Sequence, residues 1–126
     1  MTTKRRPKHL NLVKIRFPSP AIASILHRIS GLFIFLLTPV LLYLFALSLQ
    51  GESGFRLAGE WLNSVFVKIA LIPLIWLSVH HFIAGIRYLM LDLDIGLNRA
   101  SARISALTTI AMALVLSVLT IYWLIL

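Results

Sequence analysis

Near the start of this sequence a hydroxyl, an imidazole and a guanidinium share one helical face. Ser24, His27, Arg28 and Gly31 stand at i, i+3, i+4 and i+7, which places all four on the same side of an α-helix. Ile22, Ile25, Leu26 and Ile29 fill the remainder, and no acid lies nearby. Such a group suits a molecule bearing carbonyl or carboxylate oxygens. Ser24 can donate a hydrogen bond to a carbonyl. Arg28, one turn on, can polarise it or stabilise a developing anion, and His27 can contact a carboxylate or pass protons. A quinone fits these demands, being flat, apolar and a carrier of two carbonyls that gain negative charge on reduction. In the plainer reading Ser24 bonds back to its own helix and Arg28 merely ends a hydrophobic stretch.

A second group lies further on. His81 has Ala84 and Gly85 at i+3 and i+4, Ser78 at i−3 and Tyr88 at i+7. Small side chains beside an imidazole leave a surface for a flat macrocycle such as a porphyrin, with the ring nitrogen reaching iron. They serve helix packing equally well, with His81 hydrogen-bonded to a neighbouring helix. His80 lacks that surface, and adjacent residues point about 100° apart, so it cannot share an iron with His81. A six-coordinate haem would need its other ligand from another chain or from an earlier helix. Arg87 can pair with carboxylates or snorkel to lipid phosphates. Asp92 and Asp94 read as helix-end or loop acids, or as proton donors near the surface.

The elements that position these residues are long and apolar. Of 126 residues, 60% are hydrophobic, and the mean hydropathy is +0.95, above the roughly 45–50% apolar content of soluble domains. A span needs about 20 apolar residues. The sequence predicts three, at about Ile29 to Leu49, Ser64 to Leu91 and Ile104 to Leu126, within an anchor domain over 19–126. Ser19 and Pro20 make a suitable helix start, serine as cap and proline in the first turn. Pro39 and Pro73 fall inside spans, which membrane helices tolerate. Gln50 to Asn63, with Gly51, Gly54 and Gly59, reads as a loop, and Trp61 as an interfacial anchor. Residues 1–18 form a basic arm with Lys4, Arg5, Arg6, Lys8, Lys14 and Arg16 and no acid. The arm lacks the short apolar core and cleavage site of a signal peptide. Basic residues cluster before the first span and around the second loop, so the positive-inside rule predicts a cytoplasmic N-terminus. The net charge of +8 is explained by orientation and anionic lipid rather than nucleic acid. Without cysteine, the chain has no disulfide or thiolate-held metal.

Two stretches together resemble a known family. Arg6-Pro7, Leu10-Asn11-Leu12, Ile15-Arg16-Phe17-Pro18 and Ala21 to Gly31 are similar to the cytochrome b membrane-anchor subunit of succinate dehydrogenase. His81-Phe82-Ile83-Ala84-Gly85-Ile86-Arg87, continuing to Asp92, resembles that family's second motif. The resemblance covers nearly the whole chain, more loosely in the third span. It implies an all-α, three-span protein in a hetero-oligomeric bundle. The implied partners are a second small anchor subunit, an iron–sulfur subunit and a flavoprotein subunit, in a bacterial inner membrane rather than a mitochondrial one. It implies shared haem b with His81 as an axial ligand, and ubiquinone as substrate at Ser24 and Arg28. His27, Arg28 and Tyr88 would lie near the haem propionates, and Asp92 would serve proton delivery. Some relatives carry histidine where this chain has Tyr88, which can donate one hydrogen bond but carries no positive charge. An anchor of fumarate reductase, or a non-redox scaffold or transporter subunit, are the alternatives.

Overall fold

The computed structural model describes residues 15–125, so most of the arm expected over 1–18 lies outside the described residues. Four helices follow in order: α1 (Ser19–Ser48), α2 (Glu52–Asn63), α3 (Val65–Asp92) and α4 (Arg99–Ile125). No strand occurs among the described residues. Among the described residues, three segments are long and apolar enough to cross a membrane: Ser19–Ser48, Val65–Asp92 and Arg99–Leu124.

Helix α1 starts at the expected place by a different device. Pro18 holds the N-cap position with extended backbone and no side-chain cap. Its carbonyl accepts from the Ala21 and Ile22 amides. Ser19 is the first helical residue instead, and its hydroxyl donates to the Arg103 carbonyl at 3.3 Å, tying the starts of α1 and α4 together. Both Pro39 and Pro73 are inside their helices. Ser64 caps α3 by accepting from the Val67 amide at 3.3 Å, as serine commonly does. Asp94 (φ 61°) and Gly96 (φ 82°) turn the chain after α3, and Asn98 accepts from the Ser101 amide at 2.8 Å to start α4.

The loop expected at Gln50 to Asn63 is largely helical. Gly51, at φ 88°, is the true break, whereas Gly54 and Gly59 lie within α2. Gly54 packs against the Leu47 carbonyl where a Cβ would not fit. That glycine is an approach site for α1, not a turn. Arg56 and Glu60 pair at 3.3 Å one turn apart on the exposed face, which adds a few tenths of a kcal/mol at most.

Contacts of Ser30 and His27 with His81 and Tyr88 run in opposite sequence directions, so α1 and α3 are antiparallel. Arg87 meets Ala102 and Ser105, so α4 returns alongside α3. Apart from Leu47, His80 and Arg87, the buried residues of the three long helices are small: Ala23 and Ser30 on α1, Ala84 on α3, and Ala106, Thr109, Ala113 and Ser117 on α4. Between helices in lipid there is little hydrophobic drive, and small residues allow the close approach that holds them. Large side chains face outward instead, among them Phe35, Phe66 and Trp123.

Candidate functional site

The centre of the site is a contact between α1 and α3. The imidazoles of His27 and His81 stack with centroids 4.1 Å apart and planes 9° from parallel. His81 Nδ1 lies 3.0 Å from Ser30 Oγ and 3.1 Å from the His27 carbonyl. Ser30 Oγ is itself 2.8 Å from that carbonyl. A carbonyl only accepts, so Ser30 donates to it, and Nδ1 must carry the proton for its own contacts to be attractive. In the neutral ring this makes Nε2 the nitrogen with the lone pair, and Nε2 has no hydrogen bond among the described residues. Gly31 makes this approach possible: a Cβ there would stand 3.0 Å from His81 Cε1.

The small surface beside His81 is partly used by the chain itself. Ala84 is fully buried in the bundle, and a Cβ on Gly85 would lie 3.8 Å from His27 Nε2. Of the two readings of these small residues, helix packing accounts for Ala84, and His27 fills the space over Gly85. Tyr88 lies one turn on, its ring 5.1 Å from that of His27. Its hydroxyl is buried without a partner among the described residues.

Ser24 and Arg28 occupy the margin of this face, Ser24 half-buried and Arg28 exposed. Ser30, Thr38 and Ser48 bond back to carbonyls of α1, whereas Ser24 makes no such bond among the described residues. The plainer reading of Ser24 is therefore not seen. Arg28 likewise forms no ion pair or hydrogen bond there. Asp92 is exposed at the end of α3.

Two side chains behave unlike their neighbours in sequence. His80 is fully buried and stacks on Trp76 at 5.4 Å. Neither of its ring nitrogens, nor Trp76 Nε1, has a partner among the described residues. Arg87 turns to α4, where Nε donates to Ser105 Oγ at 3.0 Å and Nη2 to the Ala102 carbonyl at 3.3 Å. Ser30 and Ser105 are the contributors that sequence spacing did not single out. Their roles depend on which helix they face, which spacing along one helix does not tell.

A three-span helical protein with a histidine pair clamped between its first two spans defines a class of membrane subunit. Residues 2–120 match the family described as succinate dehydrogenase/fumarate reductase transmembrane subunit, and this chain belongs to that family. Similar proteins include the succinate dehydrogenase cytochrome b556 subunit of Coxiella burnetii, 36% identical over 94% of this chain and 96% of that protein. The same-named subunit of Paracoccus denitrificans is 30% identical over 92% and 89% of the two chains. That of Rickettsia felis is 26% identical over 88% and 85%. The chain is accordingly a multi-pass anchor subunit with bacterial relatives.

Proposed function

We propose that this chain is the cytochrome b anchor subunit of a succinate dehydrogenase in a bacterial inner membrane. It would pair with a second small anchor subunit and hold an iron–sulfur and a flavoprotein subunit at the cytoplasmic face. Its own residues contribute to two sites there.

The observation that carries the haem reading is the state of His81. An imidazole whose Nδ1–H is held by a carbonyl and a hydroxyl presents a fixed, basic Nε2, the arrangement found for metal-bound histidines. The residues therefore fit haem b, which His81 Nε2 would hold together with a residue of the partner anchor. When bound, the haem supplies one-electron transfer. Tyr88 has a buried hydroxyl free to donate to a propionate, and His27 and Arg28 stand on the same side of the site.

For the quinone, Ser24 would donate to one carbonyl and fix the ring's orientation. Arg28 would stabilise negative charge on the oxygen as electrons arrive from the iron–sulfur subunit. Reduction takes up two electrons and two protons, and Asp92, exposed at the end of α3, would deliver protons. The chain has no cysteine to hold an iron–sulfur cluster, so it accepts electrons rather than oxidising succinate. The fumarate-reducing direction is a second reading because the family description spans both. The ratio of succinate oxidation to fumarate reduction in the whole complex separates them.

The decisive experiment is His81→Leu in the purified complex. The b-type absorbance is expected to disappear or shift strongly. An unaltered reduced-minus-oxidised spectrum would remove His81 from the iron.

A further inference from the structure

Arg87 is only 7% exposed, yet no carboxylate meets it: the one ion pair among the described residues is Arg56–Glu60. All four acids of the sequence, Glu52, Glu60, Asp92 and Asp94, lie near helix ends or in α2. A buried guanidinium without a counter-ion is costly. Two of its N–H groups are tied to Ser105 and Ala102 and its guanidinium carbon stands 5.3 Å from the Tyr88 ring centroid, but no anion meets it among the described residues.

The same guanidinium lines one end of a groove of about 810 Å³ between α3 and α4. Beyond it the walls are largely apolar, with Phe82, Ile86 and Met90 on α3 and Met112 and Leu116 on α4. The groove extends along α4 from Ser105 to Thr120. At 1.5 Å per residue this is about 22 Å, the length of an extended fatty acyl chain. The hydroxyls of Ser105, Thr108 and Thr120 bond back to α4 carbonyls, so they do not make the wall polar.

We propose that this groove binds an anionic phospholipid, its phosphate on Arg87 and one acyl chain between α3 and α4. Charge and shape together select this occupant. An acidic side chain from a partner would neutralise Arg87 and leave the groove beyond it unfilled. A zwitterionic lipid would fill the groove with weaker attraction at the head, because its phosphate brings its own cation. Arg87 lies at the same end of the bundle as Arg99 and Arg103, where anionic headgroups gather beside basic residues. This inference does not depend on His81 binding haem or on Ser24 and Arg28 binding quinone.

The test uses the complete complex, purified in mild detergent, stripped of lipid and re-exposed to phosphatidylglycerol or phosphatidylcholine with identical chains. Bound lipid is counted by native mass spectrometry. The wild type is expected to retain phosphatidylglycerol about fivefold better than phosphatidylcholine, the order of preference one basic residue supplies. Arg87→Gln should abolish the preference, Arg87→Lys should keep part of it, and Met112→Trp, which fills the groove, should lower retention of both lipids. A photo-crosslinker at Met112 in intact membranes should capture lipid. The proposal is overturned if the wild type shows no preference, if the preference survives Arg87→Gln, or if the Met112 probe captures only a partner subunit.

Discussion

Ser30 joins two groups with one hydroxyl: it donates to the His27 carbonyl and accepts from His81 Nδ1. Gly31, the next residue, gives the imidazole room. Gly31→Ala should therefore push His81 off its acceptors, at a cost of about 1–3 kcal/mol typical of overpacking. The expected result is a lower haem content per complex and a lower unfolding temperature, read by pyridine haemochrome assay and thermal melt. Arg28 is different, being exposed and unpaired among the described residues. Arg28→Ala should cut quinone reduction by about 10²-fold or more, as loss of one electrostatic stabiliser does, while succinate oxidation with an artificial acceptor stays nearly intact. Unchanged quinone reduction would remove Arg28 from the site. The helical spacing of Ser24, His27 and Arg28 was legible in the sequence. The stacking of His27 on His81 was not, because periodicity says which residues share a face but not which helix that face meets.

At the scale of elements, glycine misled the reading once, in α2. Three glycines within a short polar stretch imitate a loop, yet only Gly51 adopts a left-handed conformation there. Gly54 serves contact with the Leu47 carbonyl, while a Cβ on Gly59 would meet nothing within 4 Å. The two positions should respond oppositely to alanine. Gly59→Ala should stabilise the helix by about 0.5–1 kcal/mol through helix propensity alone, raising the melting temperature of the complex. Gly54→Ala should lower it by forcing α2 away from α1. Equal responses at both sites would mean that α2 does not dock on α1. The three spans were readable from apolar length alone, since lipid leaves helices few alternatives. The start of α1 was placed correctly although its cap was not. Proline and serine both signal a helix start, and the choice between them turned on Ser19 reaching Arg103.

For the whole molecule, the positive-inside rule predicts from the basic residues before α1 and around the turn after α3 that the N-terminus and that turn face the cytoplasm. The native chain has no cysteine, so single cysteines test this cleanly. Asp94→Cys should react with an impermeant maleimide only after the membrane is opened, and Ser53→Cys should react in intact spheroplasts. The reverse pattern would invert the protein and move the quinone site to the outer face. The membrane class was legible in the sequence from apolar length, but not how the long helices face one another, because apolar residues surround each span on every side. Depth also aligns the two internal prolines. His81 packs level with Ser30 and Gly31 across the antiparallel α1 and α3, so counting outward along both helices brings Pro39 level with Pro73. Each proline removes one helical hydrogen bond, leaving the Phe35 carbonyl of α1 and the Ile69 carbonyl of α3 without their usual helical donors, while α4 carries no internal proline. Amide hydrogens beside the two prolines are therefore expected to exchange sooner than those around the histidine clamp.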